Sequence, residues 1–209
     1  IRLSLVGSEM CIRDRMLGPW GGYMGGLPRL RDAGAGMAGA RMSLRPALPD
    51  DFAFIRSLAQ RPDYAIYITD EDEARLSFYA TDAKHRLLIW EQDGARAGYA
   101  LFAEVGEPSG AVELRRLALD VAGGGRGLGF VQALTDYGFT VLGARRVWLD
   151  ASGENLRAQK IYARAGYQLE GRLRQHWYRP MLGRTVDLML YGILREEWTT
   201  ARGLAAPAL

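Results

Sequence analysis

Between Asp120 and Leu134 the chain reads DVAGGGRGLGFVQAL, with Gly123, Gly124, Gly125, Gly127 and Gly129 crowded into seven residues ahead of a helical pattern. Glycine costs about 0.5–1 kcal/mol relative to alanine inside a regular element, so the cluster does not serve helix stability. It lets a backbone come close to something, and a helix N-terminus prefers that something to be an anion. A dinucleotide fingerprint requires Gly-x-Gly-x-x-Gly, with an acid about 20 residues on. Starting from Gly123, Gly125 or Gly127, the last glycine position falls on Leu128, Phe130 or Gln132. Asp150 at the end of the next strand is then an acid without its fingerprint. A P-loop fails too, because no Gly-Lys-Ser/Thr occurs.

The pattern around the glycines defines the fold class. LRPALPDDFAFIRSLAQ reads as a strand, a Pro-Asp turn with a capping carboxylate, and a helix carrying Phe54, Ile55 and Leu58. A second helix is expected over Glu71 to Ala80, after the aromatic loop PDYAIYITD. Two strands flank Asp93-Gly94, a hairpin dipeptide. AVELRRLALD is another strand, and strict alternation would put Glu113, Arg115, Leu117 and Leu119 on one face. Beyond the glycines, Phe130, Leu134, Tyr137 and Val141 recur at helical spacing. RRVWLD is a strand, Asn155 to Ala165 a helix stopped by Gly166, and YQLEGRLRQHWYRP and TVDLMLYGILREEW close the chain as two strands. The order β-α-α-β-β-β-α-β-α-β-β predicts an α/β (α+β) domain with a mixed, mostly antiparallel sheet flanked by helices.

The N-terminal stretch stands apart. LVGSEMCIRDR, Leu5 to Arg15, resembles the translation of a transposase-type sequencing adaptor, and Met16 to Arg41 is glycine-rich without a period of 2 or 3.6. The expectation is that residues 1–41 are adaptor and disordered leader, 42–198 the domain, and 199–209 a flexible tail, with Met42 the preferred start. Cys11, the single cysteine, lies in the suspected adaptor, so the domain has no thiol for a disulfide, a zinc site or a nucleophile. Hydrophobic residues make up 48%, and 27 basic against 24 acidic side chains leave a charge of +3. That balance gives no reason to expect nucleic acid, and no apolar run reaches the length of a membrane span. A cytoplasmic protein is expected.

Two segments together carry a resemblance. Gly124-x-x-Gly127-x-Gly129 is similar to the pyrophosphate loop Gln/Arg-x-x-Gly-x-Gly/Ala of the GNAT superfamily, the acetyl-CoA-dependent N-acetyltransferases. NLRAQKIYARAGYQLEG resembles that family's Asn-x-x-Ala-x-x-x-Tyr-x-x-x-Gly-Phe segment, with Asn155, Ala158 and Tyr162 in one helical stripe and Tyr167 in the Phe position. The departure is Gly124, where the family carries a side-chain donor; Arg126 next door offers charge instead. The resemblance covers Ser43 to Trp198 and looks closest to ribosomal-protein N-terminal acetylases and small-amine acetylases. It implies the GNAT fold and acetyl transfer from acetyl-CoA to a primary amine, by direct attack and without a metal.

By match, Arg116 to Leu119 (with Leu117, Ala118 and Leu119 as binding residues) pair with the pantetheine arm through the main chain. Gly124, Gly125, Arg126, Gly127, Leu128 and Gly129 hold the diphosphate, and Asn155, Ala158 and Tyr162 complete the cofactor side. The resemblance makes Tyr162 the acid that protonates the leaving thiolate and Glu113 the base, with Glu104 as second candidate. A lysine-like amine, with a pKa near 10.4, is neutral about once in 2,500 molecules at pH 7, so a base helps it greatly. The acceptor is a small molecule, a protein N-terminus or a lysine, and Tyr64, Tyr67, Asp70, Glu71, Asp72 and Glu73 are expected to face it. His85 and His176 lack ligand spacing and read as surface or strand-end residues. No nucleic-acid or membrane partner is expected, and the chain is expected as a monomer or homodimer. The competing class is a GNAT-fold sensor that holds acyl-CoA without turnover.

Overall fold

The computed structural model describes residues 41–203, so the expectations for residues 1–40 and for the end of the tail lie outside the described residues. Seven strands form one sheet: β1 (Met42–Pro46), β2 (Arg86–Gln92), β3 (Ala95–Ala103), β4 (Ala111–Leu119), β5 (Arg146–Ser152), β6 (Gln168–Arg179) and β7 (Arg184–Leu194). Their spatial order is β1-β2-β3-β4-β5-β7-β6, antiparallel throughout except for β4 beside β5. The hairpin between β2 and β3 turns at Asp93 and Gly94, both at positive φ (53° and 80°), as a tight primed turn requires.

Helices cover both faces. On one lie α1 (Phe52–Ala59) and α3 (Glu73–Thr81), which bury Phe52, Ile55, Leu58, Leu76 and Tyr79 against Ile89, Tyr99, Leu101 and Ala118. On the other lie α4 (Arg126–Thr140) and α5 (Leu156–Arg164), with Phe130, Leu134, Tyr137 and Tyr162 against Phe102, Leu114, Val147 and Leu149. Each such side chain taken fully from water contributes about 1.5–3 kcal/mol. Among the described residues no helix is long and apolar enough to cross a membrane.

Three features differ from the sequence expectations. The aromatic loop holds a four-residue helix, α2 (Pro62–Ala65), started by Pro62 in its first turn. β7 stops at Leu194 and α6 (Arg195–Ala201) follows, its first turn closed by the Glu197 carboxylate accepting from Leu194 N–H at 2.8 Å. Trp198 therefore packs from a helix, donating to Asp136 at 2.7 Å, and Thr199 is buried beyond the boundary drawn for a flexible tail. The third concerns β4. Leu101 pairs with Arg116 but Phe102 with Leu114, leaving Arg115 as an extra residue in a β-bulge. The bulge resets the alternation, so Val112, Leu114, Leu117 and Leu119 share the α4/α5 face, and Glu113 does not lie with Leu117 and Leu119 as strict alternation predicts.

Candidate active site

β4 and β5 pair only at Ala111–Arg146, Val112–Val147 and Glu113–Trp148. Beyond that they diverge, β4 continuing along β3 to Leu119 and β5 along β7 to Ser152. The divergence opens a V-shaped cleft through the sheet. Asp120 N–H bonds Ala97 O at 2.9 Å, and Leu119 lies opposite Gly98. Main-chain groups of Arg116 and Ala118 therefore turn to β3, and those of Leu117 and Leu119 turn to the open edge. Ala118, expected to bind cofactor, offers the cleft no main-chain group, and its methyl packs under α1 and α3.

Past the edge, Gly123, Gly124 and Gly125 take φ of 118°, 56° and 79° and turn the chain into α4. The N–H groups of Gly124, Gly125 and Gly127 have no main-chain acceptor among the described residues, and a Cβ on Gly123, Gly124 or Gly125 would meet open space. Unpaired donors at the positive end of a fifteen-residue helix suit a diphosphate, so the turn fits the cofactor expected for it. A Cβ on Gly127 would lie 2.9 Å from Cδ1 of Ile161 on α5, the tip of a side chain that can shift. Arg126 and Leu128 belong to the first turn of α4, and a Cβ on Gly129 would meet nothing within 4 Å.

α5 fixes the second motif. Asn155 is its N-cap and accepts from Ala158 N–H at 3.1 Å. At the other end Gly166 (φ 98°) lets Tyr167 N–H reach Tyr162 O and Gly166 N–H reach Ala163 O. This closing turn brings the Tyr162 and Tyr167 rings to 6.2 Å. Tyr167 is anchored by its hydroxyl on Thr135 at 2.9 Å, and Tyr162 meets Tyr191 edge-on at 5.7 Å. Burial, then the charge of Asp150, hold the Tyr162 phenol well above its ordinary pKa, so it is protonated throughout the neutral range.

On the α1/α3 face of the V stand Glu113, Trp148 and Asp150. Glu113 is buried and accepts two bonds from Arg115, at 2.8 and 2.6 Å. Asp150, which sequence reasoning passed over once the dinucleotide reading failed, lies two residues past the last β4–β5 pair. Burial, then the neighbouring Glu113 carboxylate, push it up to about 6 against the opposing charges of Arg115, His176 and Arg116. Glu104 takes a left-handed φ of 61°, rare for this residue type, and accepts from the Trp148 indole at 3.1 Å.

The expected acceptor wall is only partly assembled. Tyr64 and Tyr67 line the cleft. Asp70 is held by Arg56 and Gln60, Glu71 pairs with Arg116 at 2.6 Å, and Asp72 caps α3. The two histidines are also more involved than their spacing suggested. His85 bonds Asp82 at 2.6 Å and sits between Phe78 and Tyr79. His176 lines the cleft because Arg174, Gln175 and His176 bulge out of β6, pinned by Gln175 N–H on Asp187 at 2.7 Å.

A phosphate-type turn leading from a splayed strand, with a phenol and a carboxyl on opposite sides of the split, defines an acyl-CoA-dependent transferase. The comparisons agree. Residues 50–167 match the model of the acetyltransferase (GNAT) family, and the chain belongs to that family. An uncharacterised N-acetyltransferase of Mycobacterium bovis is 32% identical over 118 residues, 54% of this chain and 73% of the relative. A spermidine N(1)-acetyltransferase of Escherichia coli is 26% identical over 145 residues, 66% and 78% of the two chains. The fold is that of the Vibrio cholerae spermidine N-acetyltransferase solved with CoA and spermine, with a TM-score of 0.66, 21% identity, and 75% and 97% coverage. The chain is thus an N-acetyltransferase that moves an acetyl group from acetyl-CoA to an amine, and nothing supports a sensor without turnover.

Proposed function

We propose that the acceptor is a small di- or polyamine that enters from the α1/α3 face and gives its proton to Asp150. The observation that carries this reading is the placement of Asp150, a cleft carboxyl poised near 6. A base of that strength is ionised at pH 7 and suits an amine that is almost wholly protonated there. Glu113, the expected base, is engaged by Arg115 and serves beside it. Glu104, Glu113 and Asp150 with the Trp148 ring make this end of the cleft favourable to a second ammonium. Relatives named for spermidine are consistent with that choice.

The chemistry divides across the sheet. Asp150 takes the amine proton on one face, and the nitrogen lone pair adds to the thioester carbon. Leu117 N–H, on the open edge of β4, stabilises the carbonyl oxygen as charge develops. When the C–S bond breaks, Tyr162 gives its phenolic proton to sulfur from the α4/α5 face, and the second nitrogen proton, lost as the amide forms, replaces it on the phenol through solvent. Gly124, Gly125, Arg126, Gly127, Leu128 and Gly129 would hold the diphosphate, with Asn155 and Ala158 lining the pantetheine side. Every group named comes from one chain, so a monomer and a homodimer both carry complete sites.

Thiol release from acetyl-CoA, measured with spermidine, a diamine, a lysine-containing peptide and a peptide with a free N-terminus, tests the reading. Faster turnover of the di- and polyamines is expected. A peptide N-terminus preferred over every polyamine would overturn the acceptor assignment.

A further inference from the structure

The phenol of Tyr64 sits on the open edge of β4. It donates to Leu119 O at 2.9 Å and accepts from Leu119 N–H at 3.1 Å, bridging 55 residues of chain. These are the two groups that Leu119 turns away from β3, and the glycine turn begins four residues later. The phenol thus imitates the amide of a neighbouring strand at the place where a pantetheine arm would pair. One N–H can serve only one well-aligned acceptor, so the phenol and the arm cannot both hold Leu119.

Tyr64 belongs to α2, which is tied down at two ends by different means. At the β4 end, Arg61 stacks 5.1 Å from the Tyr64 ring and donates to the Asp120 carbonyl. Arg61 is also turned to the side chains of Asp63 and Asp120, at 2.9 and 3.7 Å. At the β6 end, Arg179 is buried, its guanidinium 3.8 Å from the centre of the Trp177 ring. It donates to Ile66 O at 2.9 Å and Ala65 O at 3.1 Å. The first attachment is half-exposed and contests a cofactor group, whereas the second is buried and contests nothing. Tyr64, Tyr67 and Ile68 all line the cleft, so a change at the first attachment moves the acceptor wall.

We propose that Tyr64 is a place-holder on the β4 edge, displaced when the pantetheine arm of acetyl-CoA pairs with Leu119. Its release frees α2 to pivot about Arg179, and with it Tyr67 and Ile68 on the acceptor side of the cleft. This rests on reading the β4 edge as the pantetheine site.

Calorimetry on the full chain, with CoA and with 3′-phosphoadenosine 5′-diphosphate (the nucleotide half without the arm), tests it. Tyr64→Phe removes the competing hydroxyl, so CoA should bind about 3- to 10-fold more tightly, the range set by one or two modest hydrogen bonds. Affinity for the nucleotide half should stay the same. A purely structural role would not strengthen binding of one ligand alone. In the unmutated chain, amide exchange across Tyr64–Ile68 should rise when CoA is added and not with the nucleotide half. That readout stands even if the variant fails to fold. Weaker or equal CoA binding by Tyr64→Phe, equal tightening for both ligands, or protection of α2 by CoA would each overturn the place-holder. An unmutated chain that binds neither ligand would overturn the site reading itself, and this inference with it.

Discussion

Replacing Asp150 by asparagine should make the protein more stable and less active at once, and the size of both effects follows from the structure. The carboxyl is pushed from its ordinary 3.8 to about 6, first by burial and then by Glu113. The fold therefore prefers the protonated form, and ionisation costs stability. At about 1.4 kcal/mol per pH unit the ionised group costs about 3 kcal/mol at pH 7. An asparagine removes the charge but still buries an amide, which returns about 1 kcal/mol. The net gain is about 2 kcal/mol, worth roughly 4–8 °C in a domain of this size.

The pH dependence fixes the sign. A raised carboxyl leaves the native state most favoured below pH 3.8, and the cost grows as pH climbs to about 6. The stabilisation by Asp150→Asn should therefore be full at pH 7 and give way below pH 4 to the buried amide's cost of about 1 kcal/mol. Turnover should fall by a factor of about 10²–10⁴, as for loss of a general base. In the unmutated enzyme the rate should rise with pH through about 6 as Asp150 ionises, and the variant should lose that limb. Thermal melts at pH 4 and pH 7, beside thiol-release rates from pH 5 to pH 8, measure all of this. A variant that melts lower at pH 7, or keeps the limb near 6, would refute both the strain assigned to Asp150 and its role as base.

Arg126→Ala should weaken CoA and its nucleotide half alike, by about 3- to 10-fold in calorimetry, if the residue faces the diphosphate from an exposed first turn. Tyr162→Phe should leave CoA affinity nearly unchanged and lower kcat by about 10²–10⁴, with the loss partly recovered by a thioester whose thiol leaves more readily. Asp51 tests the fold apart from the site. It is 1% exposed, and burial alone would raise it, but bonds from Arg45, Leu48 N–H and Arg96 outweigh burial and keep it below its ordinary value. Its contribution is therefore present at neutral pH and lost as pH falls below 3.8. Asp51→Asn should cost about 1–3 kcal/mol at pH 7, read by urea unfolding, because Arg96 loses its carboxylate partner and Arg45, itself solvated in part, keeps only Glu91.

What the sequence made legible is what local chemistry dictates. Asp93-Gly94 turns the hairpin because both residues tolerate positive φ, and Asn155 and Gly166 bound α5 because a cap and a left-handed stop are side-chain properties of those positions. The phosphate-type turn was readable for the same reason, since three successive glycines at positive φ are a backbone statement written in residue type. The site's inner geometry depends instead on where strands meet and part. Nothing in AVELRRLALD marks Arg115 as the residue that bulges, yet that one extra position moves Glu113 to the opposite face from Leu117 and Leu119 and lets Arg115 engage it.

Asp150 shows the same limit from the other side. In sequence it is only the last residue of RRVWLD, an acid without its fingerprint, and its pKa is set by contacts that no short window contains. The first is the parting of β4 from β5 after Glu113 and Trp148, which opens the cleft on which Asp150 lies. The second is Glu113 itself, 37 positions earlier, held inside by Arg115. The third acts the other way: the β6 bulge at Gln175 brings His176, 26 positions later, near enough to hold the rise of Asp150 in check. Each of these is a register decision, made by hydrogen-bond pairing between strands distant in the chain. A raised pKa built this way is a property of the sheet's irregularities. Removing the extra residue from β4, which would turn Glu113 to the other face, should therefore move Asp150 back toward 3.8, whereas straightening the β6 bulge, which withdraws His176, should move it further up, in both cases without any change to Asp150 itself.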